Sequence, residues 1–155
     1  MMRFCTETGG PLATHIERSA LVPFSAERMF ALVNDIERYP EFIPGCAGAE
    51  VLDRGDGWLE ARLDLARLGM RQSFSTRNTL EPPTRMSLSL LDGPFKTLEG
   101  AWQFDVLSEQ ACKVSFTLTF EVANRLMAIA LPKLMQQVAS EQVDAVCARA
   151  RELYQ

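Results

Sequence analysis

The chain has 155 residues, enough for one domain with a sizeable core. Apolar residues make up 47% and charged residues 23%, which excludes a disordered chain, and a net charge of −4 argues against broad electrostatic binding to DNA or other nucleic acid. No apolar run reaches the ~20 residues that span a bilayer, and four scattered cysteines (Cys5, Cys46, Cys112, Cys147) show no CxxC or Cys/His spacing, which points to reduced thiols and to no metal site.

Residues 1–13, with Gly9-Gly10-Pro11, read as a flexible leader, and residues 14–155 as a single folded domain. Residues 15–22, closed by Pro23, have strand character. Ser25 has N-cap chemistry, and Phe24 and Met29 have the spacing of a hydrophobic staple. Met29, Phe30, Leu32, Val33 and Ile36 then form a helical stripe. The chain is expected to turn at Tyr39-Pro40, because proline disfavours α geometry in the residue before it, and again at Pro44-Gly45.

Strand-like segments follow. Residues 47–53 lead to the turn signal Gly55-Asp56-Gly57. Residues 58–68 place Leu59, Ala61, Leu63 and Leu65 on one face; residues 70–80 place Phe74, Thr76 and Asn78 on one face and Arg77 on the other. Residues 85–91 turn Met86, Leu88 and Leu90 inward, before the turn cluster Asp92-Gly93-Pro94. Residues 96–107 carry Leu98, Gly100, Trp102 and Phe104 on one face. A glycine between large apolar residues implies a bulge, a bent strand or a close approach by a neighbour. Residues 112–122 alternate strictly, the mark of an antiparallel sheet with one covered face.

From Asn124 the period changes. Leu131, Leu134, Met135 and Val138 share one helical stripe, and Val143, Val146, Cys147, Ala150 and Tyr154 continue on an adjacent one. This predicts a C-terminal helix of about 25 to 30 residues. Pro132 either kinks it or sits in the first turn of a new helix. The expected class is α+β: a curved antiparallel sheet of about six to seven strands wrapped around the long C-terminal helix, with short helices after the first strand and a gap between sheet and helix.

Residues 19–46 (SALVPFSAERMFALVNDIERYPEFIPGC), FSTRN (74–78), LLDGPFKTLEGAWQF (90–104), SFTLTFEVAN (115–124) and AVCARARELY (145–154) carry a family likeness. Together they resemble the START-like helix-grip superfamily related to polyketide cyclases and dehydrases. The resemblance is strongest to its branch of coenzyme Q-binding proteins and RatA-like ribosome association toxins. It implies a helix-grip fold with a hydrophobic cavity. It further implies an isoprenoid quinone or other lipid as ligand, ubiquinone foremost, carried unchanged in support of respiration with no required cofactor. An alternative implication is a toxin that binds the large ribosomal subunit and blocks subunit association; a third is a polyketide cyclase or dehydratase. The implied setting is cytoplasmic, with transient contact at the inner membrane.

On this basis Phe74, Leu88, Leu90, Trp102, Phe104, Phe116, Leu118 and Phe120 are the candidate sheet wall. Leu131, Leu134, Met135 and Val138 are the candidate helix wall. Thr76 and Asn78 are candidate polar partners for a quinone head group. Val33, Tyr39 and Phe42, with Ile43, are candidates for a lid, and Phe95 for a corner over the mouth. No catalytic residue is assigned. The one histidine, His15, lies beside the leader, and Glu37, Glu41, Asp92, Glu99 and Asp105 fall in turns or on polar faces without a pairing. Arg71, Arg77 and Arg85 are expected to give one outer face local positive charge.

Overall fold

The computed structural model describes residues 13–155. Cys5 and the expected leader, save its last residue, lie outside the described residues.

Period-two alternation builds seven strands: β1 (Thr14–Val22), β2 (Cys46–Gly55), β3 (Trp58–Arg67), β4 (Met70–Glu81), β5 (Arg85–Asp92), β6 (Phe95–Ser108) and β7 (Ala111–Val122). They form one antiparallel sheet in the order β1-β7-β6-β5-β4-β3-β2. Strands β2 to β7 run as successive hairpins. β1 and β2, neighbours in sequence, therefore sit at opposite edges, and the chain joining them must cross the sheet. That crossing is made by α1 (Ala26–Asn34) and a 3-10 helix (Ile36–Glu41). Register shifts between β2 and β3, β4 and β5, and β6 and β7 bend the sheet, since each extra residue on one strand adds local twist.

α1 starts as its sequence dictates: the Ser25 hydroxyl accepts from the Arg28 N–H at 3.2 Å, and Phe24 and Met29 are buried. It ends at Asn34, two residues short of the stripe that included Ile36. In place of a simple turn at Tyr39-Pro40, the 3-10 helix carries the chain through both residues. Tyr39 ties it down: its phenol donates to the Val33 carbonyl, and its own carbonyl accepts from the N–H groups of Phe42 (3.1 Å) and Ile43 (2.8 Å). Gly45, at φ +85°, then lets the backbone pass Val138, whose Cγ2 would lie 2.9 Å from a Cβ there.

Gly100 is not a bulge. It pairs in register with Leu88 on β5 and Leu118 on β7. A Cβ at that position would lie 2.5 Å from the Thr117 carbonyl oxygen and 3.1 Å from Leu118 Cδ1. The glycine admits β7 at close range, and the bulges of β6 fall near its two ends.

The C-terminal helix α2 (Ala130–Tyr154) has 25 residues and follows a short 3-10 turn, Arg125–Met127. Pro132 sits in its first turn, where no intrahelical N–H is needed, so the helix begins there and does not kink. Leu131, Leu134, Met135, Val138, Ala139, Gln142, Val143, Val146, Cys147 and Ala150 form one buried stripe facing the concave side of the sheet.

Candidate functional site

Sheet and helix do not fill the space between them. A cavity of about 60 Å³ remains between β3, β4, β5, β6 and β7 on one side and the first half of α2 on the other. The 3-10 helix covers it through Ile36 and Tyr39, with Ile43 and Cys46 just beyond. The volume is small against the ~300–1,000 Å³ of typical ligand pockets. A prenyl chain would need the segment carrying Tyr39 and Ile43 to move.

Of the residues singled out from sequence, Tyr39, Phe74, Thr76, Asn78, Leu88, Trp102, Phe116, Leu118, Met135 and Val138 line the cavity. The others do not. Val33, Phe104, Phe120, Leu131 and Leu134 are buried in solid core. Phe95 lies behind Phe74, edge to face at 5.7 Å, and meets Phe120 in the same way at 5.7 Å. Phe42 is half-buried outside the cavity, with the Arg149 guanidinium 5.2 Å from its ring. Leu90 borders a shallow groove where β5 and β6 part beyond the Ser89–Glu99 pair.

Besides the Tyr39 phenol and the Cys46 thiol, the cavity wall is apolar except at three buried side chains, Thr76, Asn78 and Gln142. The Thr76 hydroxyl donates to Asn78 Oδ1 at 2.7 Å, and Asn78 Nδ2 has only the weak acceptor Met86 Sδ, at 3.6 Å. The Asn78 amide is thus oriented and retains donor capacity for a ligand carbonyl. Gln142 lies on α2 and was missed from sequence. Its spacing of four from both Val138 and Val146 places a polar residue on the buried stripe, and that was the available signal. Ile36, Ala61, Leu63, Leu65, Met86, Leu98 and Ala139 also line the cavity, although only strand alternation or helix register marked them as inward.

Two ionisable groups face this space, and both are held neutral. Burial pushes the Tyr39 phenol far above its ordinary value, and its electrostatic coupling to Cys46 and Asp35 acts in the same direction. Burial likewise pushes the Cys46 thiol up to about 11, against a smaller lowering pull from the Gly48 backbone. Among the described residues, no Asp, Glu, His, Lys or Arg lines the cavity.

The lid segment is pinned to α2 from outside. Arg149 reaches Glu41 at 2.6 Å while lying beside Phe42, whose ring packs edge to face on Tyr39 at 5.9 Å. On the opposite, convex face, the expected positive charge is offset in part. Arg77 pairs with Glu60 at 3.0 Å and lies over the Trp58 ring at 4.1 Å. Arg85 bonds the neutral Gln103 at 3.1 Å. The Asp64 carboxyl, held low first by the Ser73 hydroxyl and then by Arg62, stands in the field of Arg71.

The profile of the family described as polyketide cyclase / dehydrase and lipid transport matches residues 22–147. The chain belongs to this family. It is 45% identical over 143 residues to the ribosome association toxin RatA of Pseudomonas aeruginosa, covering 92% of this chain and 99% of that protein. A more distant likeness, 26% over 115 residues, is to the mitochondrial coenzyme Q-binding protein COQ10 of Drosophila melanogaster, covering 70% of this chain and 47% of that one. Among solved structures, the Zhui aromatase/cyclase of a Streptomyces superposes with a TM-score of 0.82 over 92% of this chain and 96% of that one; at 19% identity this shows the shared fold alone. The helix-grip architecture expected from sequence is the one observed.

Proposed function

We propose that this protein is a ribosome-directed START-like protein of the RatA type, which binds the large ribosomal subunit and opposes subunit association. One observation carries the reading: the 45% identity to a ribosome association toxin extends over 99% of that protein's length. The cavity supports it by its size, since 60 Å³ suits a packed interaction module better than a carrier of long lipids. Net charge and the mixed convex face favour docking by shape and local contacts over broad attraction to RNA. The test is sedimentation of purified subunits in a sucrose gradient. Co-migration with the large subunit and a shift from joined to separate subunits are expected. Absence of both overturns the reading.

A second reading has its own support. The buried Thr76–Asn78 pair and Gln142 place hydrogen-bonding groups in an otherwise apolar hollow, which suits an uncharged ligand with a carbonyl, such as ubiquinone. The distant likeness to a coenzyme Q-binding protein agrees with it. Solvent extraction of the purified protein followed by mass spectrometry is the check. A protein that carries no lipid and takes up no quinone when offered it removes this reading. The lack of paired ionisable groups in the cavity wall favours both readings over a cyclase or dehydratase, which needs an acid and a base within reach of substrate.

A further inference from the structure

Two exposed apolar spots on the surface differ in their charge. At the β6–β7 hairpin, Val106 (60% exposed) and Leu107 (57%) sit between the exposed carboxylates Asp105 and Glu109. On the stretch joining β7 to α2, Leu126 (91%) and Ile129 (75%) sit between the exposed cations Arg125 and Lys133. Neither cation forms an ion pair with another described residue. From residue 122 to residue 140 there is no Asp or Glu, in a chain whose net charge is −4.

The second spot extends across the molecule's end. Ile129 and Lys133 are four residues apart at the start of α2 and so lie on one side of it. Lys133 shares a surface groove with Leu68, which the β3–β4 turn holds outward, 62% exposed, at φ +58°. A bulky residue in the left-handed region is costly, so this leucine is displayed by the backbone and not merely left over. Three aliphatic side chains and two unpaired cations thus share one end. Behind them, Leu65, Met135 and Val138 form part of the cavity wall.

The chemistry selects among partners. Single-stranded RNA is gripped by stacking on aromatic rings, and residues 122–140 contain none. Aliphatic side chains flanked by cations, with the groove's carboxylate Glu141 already paired to Arg67, match a layer whose surface is phosphate and whose interior is hydrocarbon. We propose that this end docks on an anionic lipid bilayer, with Leu126, Ile129 and Leu68 entering the acyl boundary and Arg125 and Lys133 meeting lipid phosphates. The inference is independent of both functional readings. It assigns a place where the protein meets a membrane, whatever it does to ribosomes or holds inside.

The experiment is co-sedimentation of the full chain with phosphatidylcholine vesicles, with and without phosphatidylglycerol, at low and high salt. Binding is expected with phosphatidylglycerol and falls as salt rises. The double substitution Leu126→Glu with Ile129→Glu lowers partitioning by more than about tenfold. Arg125→Gln and Lys133→Gln each lower it about fivefold and flatten the salt dependence. Val106→Glu with Leu107→Glu, also on an exposed apolar spot, leaves it unchanged. All these side chains are exposed, and circular dichroism confirms that each variant is folded. No binding by the unmodified protein to phosphatidylglycerol vesicles overturns the proposal. So does unchanged binding by the Leu126/Ile129 variant, or an equal loss in the Val106/Leu107 control. If the Leu126/Ile129 variant loses co-migration with ribosomal subunits while the unmodified protein ignores vesicles, the surface belongs to the ribosome and the proposal fails.

Discussion

The two ends of the sheet's concave face carry the same alternation of apolar residues and yet differ in filling. Over the second half of β6 and the first residues of β7, α1 inserts Met29, Phe30 and Val33 between sheet and helix, and nothing is left open; Phe30 meets Phe104 edge to face at 5.9 Å. Over β3, β4 and β5 only the thinner 3-10 helix arrives, and the hollow remains beneath it. A straight helix touches a bent sheet along part of its length. The difference teaches that a period-two pattern says which face is apolar, whereas the cover decides whether that face is packed.

Substitutions can break this contrast. The largest effect is expected for Phe104→Ala in the filled end, a loss of about 3–5 kcal/mol read from urea denaturation, because the tightly packed surroundings cannot collapse. An equal cost at the hollow's edge, for example from Leu63→Ala, would remove the distinction between the ends. Gly100→Val comes next, at about 1–3 kcal/mol, since its Cβ would push the Thr117 carbonyl backbone away; a changed Trp102 emission would accompany it.

A matched pair sharpens the comparison. Ala150→Leu, on α2 in the filled end, is expected to destabilise by about 1–3 kcal/mol through overpacking. Ala139→Leu, on the same helix against the hollow, should be near neutral, because the new atoms enter existing space. Thermal unfolding of both variants decides it. Arg149→Met should alter stability by less than about 1 kcal/mol, because Glu41 is half exposed and the pair is screened. It should nevertheless speed the uptake of an apolar fluorescent dye, since it releases the segment that roofs the cavity.

The smallest effect is expected from pH. Burial pushes the thiols of both Cys46, beside the hollow, and Cys112, in the filled end, up to about 11 from 9.0. The unfolded chain loses these protons above pH 9 while the folded chain keeps them to about 11. Stability is therefore flat below pH 9 with respect to these groups and declines as pH rises through that window. Urea midpoints measured across it provide the check, and Cys112→Ala should flatten the decline.

Much of this was legible in the chain. β7 announced itself by strict alternation, α1 by the Ser25 cap, and α2 by a stripe that begins beside Pro132. Thr76 and Asn78 were placed together by strand period alone, and the structure finds them bonded to one another in the cavity. Other residues misled. Phe104, Phe120 and Leu134 have the same inward signature as Trp102 and Met135, and no local pattern distinguishes wall from core. Arg77 looked like part of a basic stripe because its partner Glu60, from a neighbouring strand, is 17 residues away.

Read alone, the chain determined its elements, the inward face of each strand and the family they compose, because caps, prolines and periodicity act over a few residues. Tertiary structure decided the rest: that β1 and β2 lie at opposite edges, that α1 fills one end and leaves the other hollow, that Gln142 looks into that hollow, and that Leu68 joins Lys133 beside Ile129. Those outcomes depend on which distant surfaces meet, and the separation across a curved sheet is set by all seven strands together.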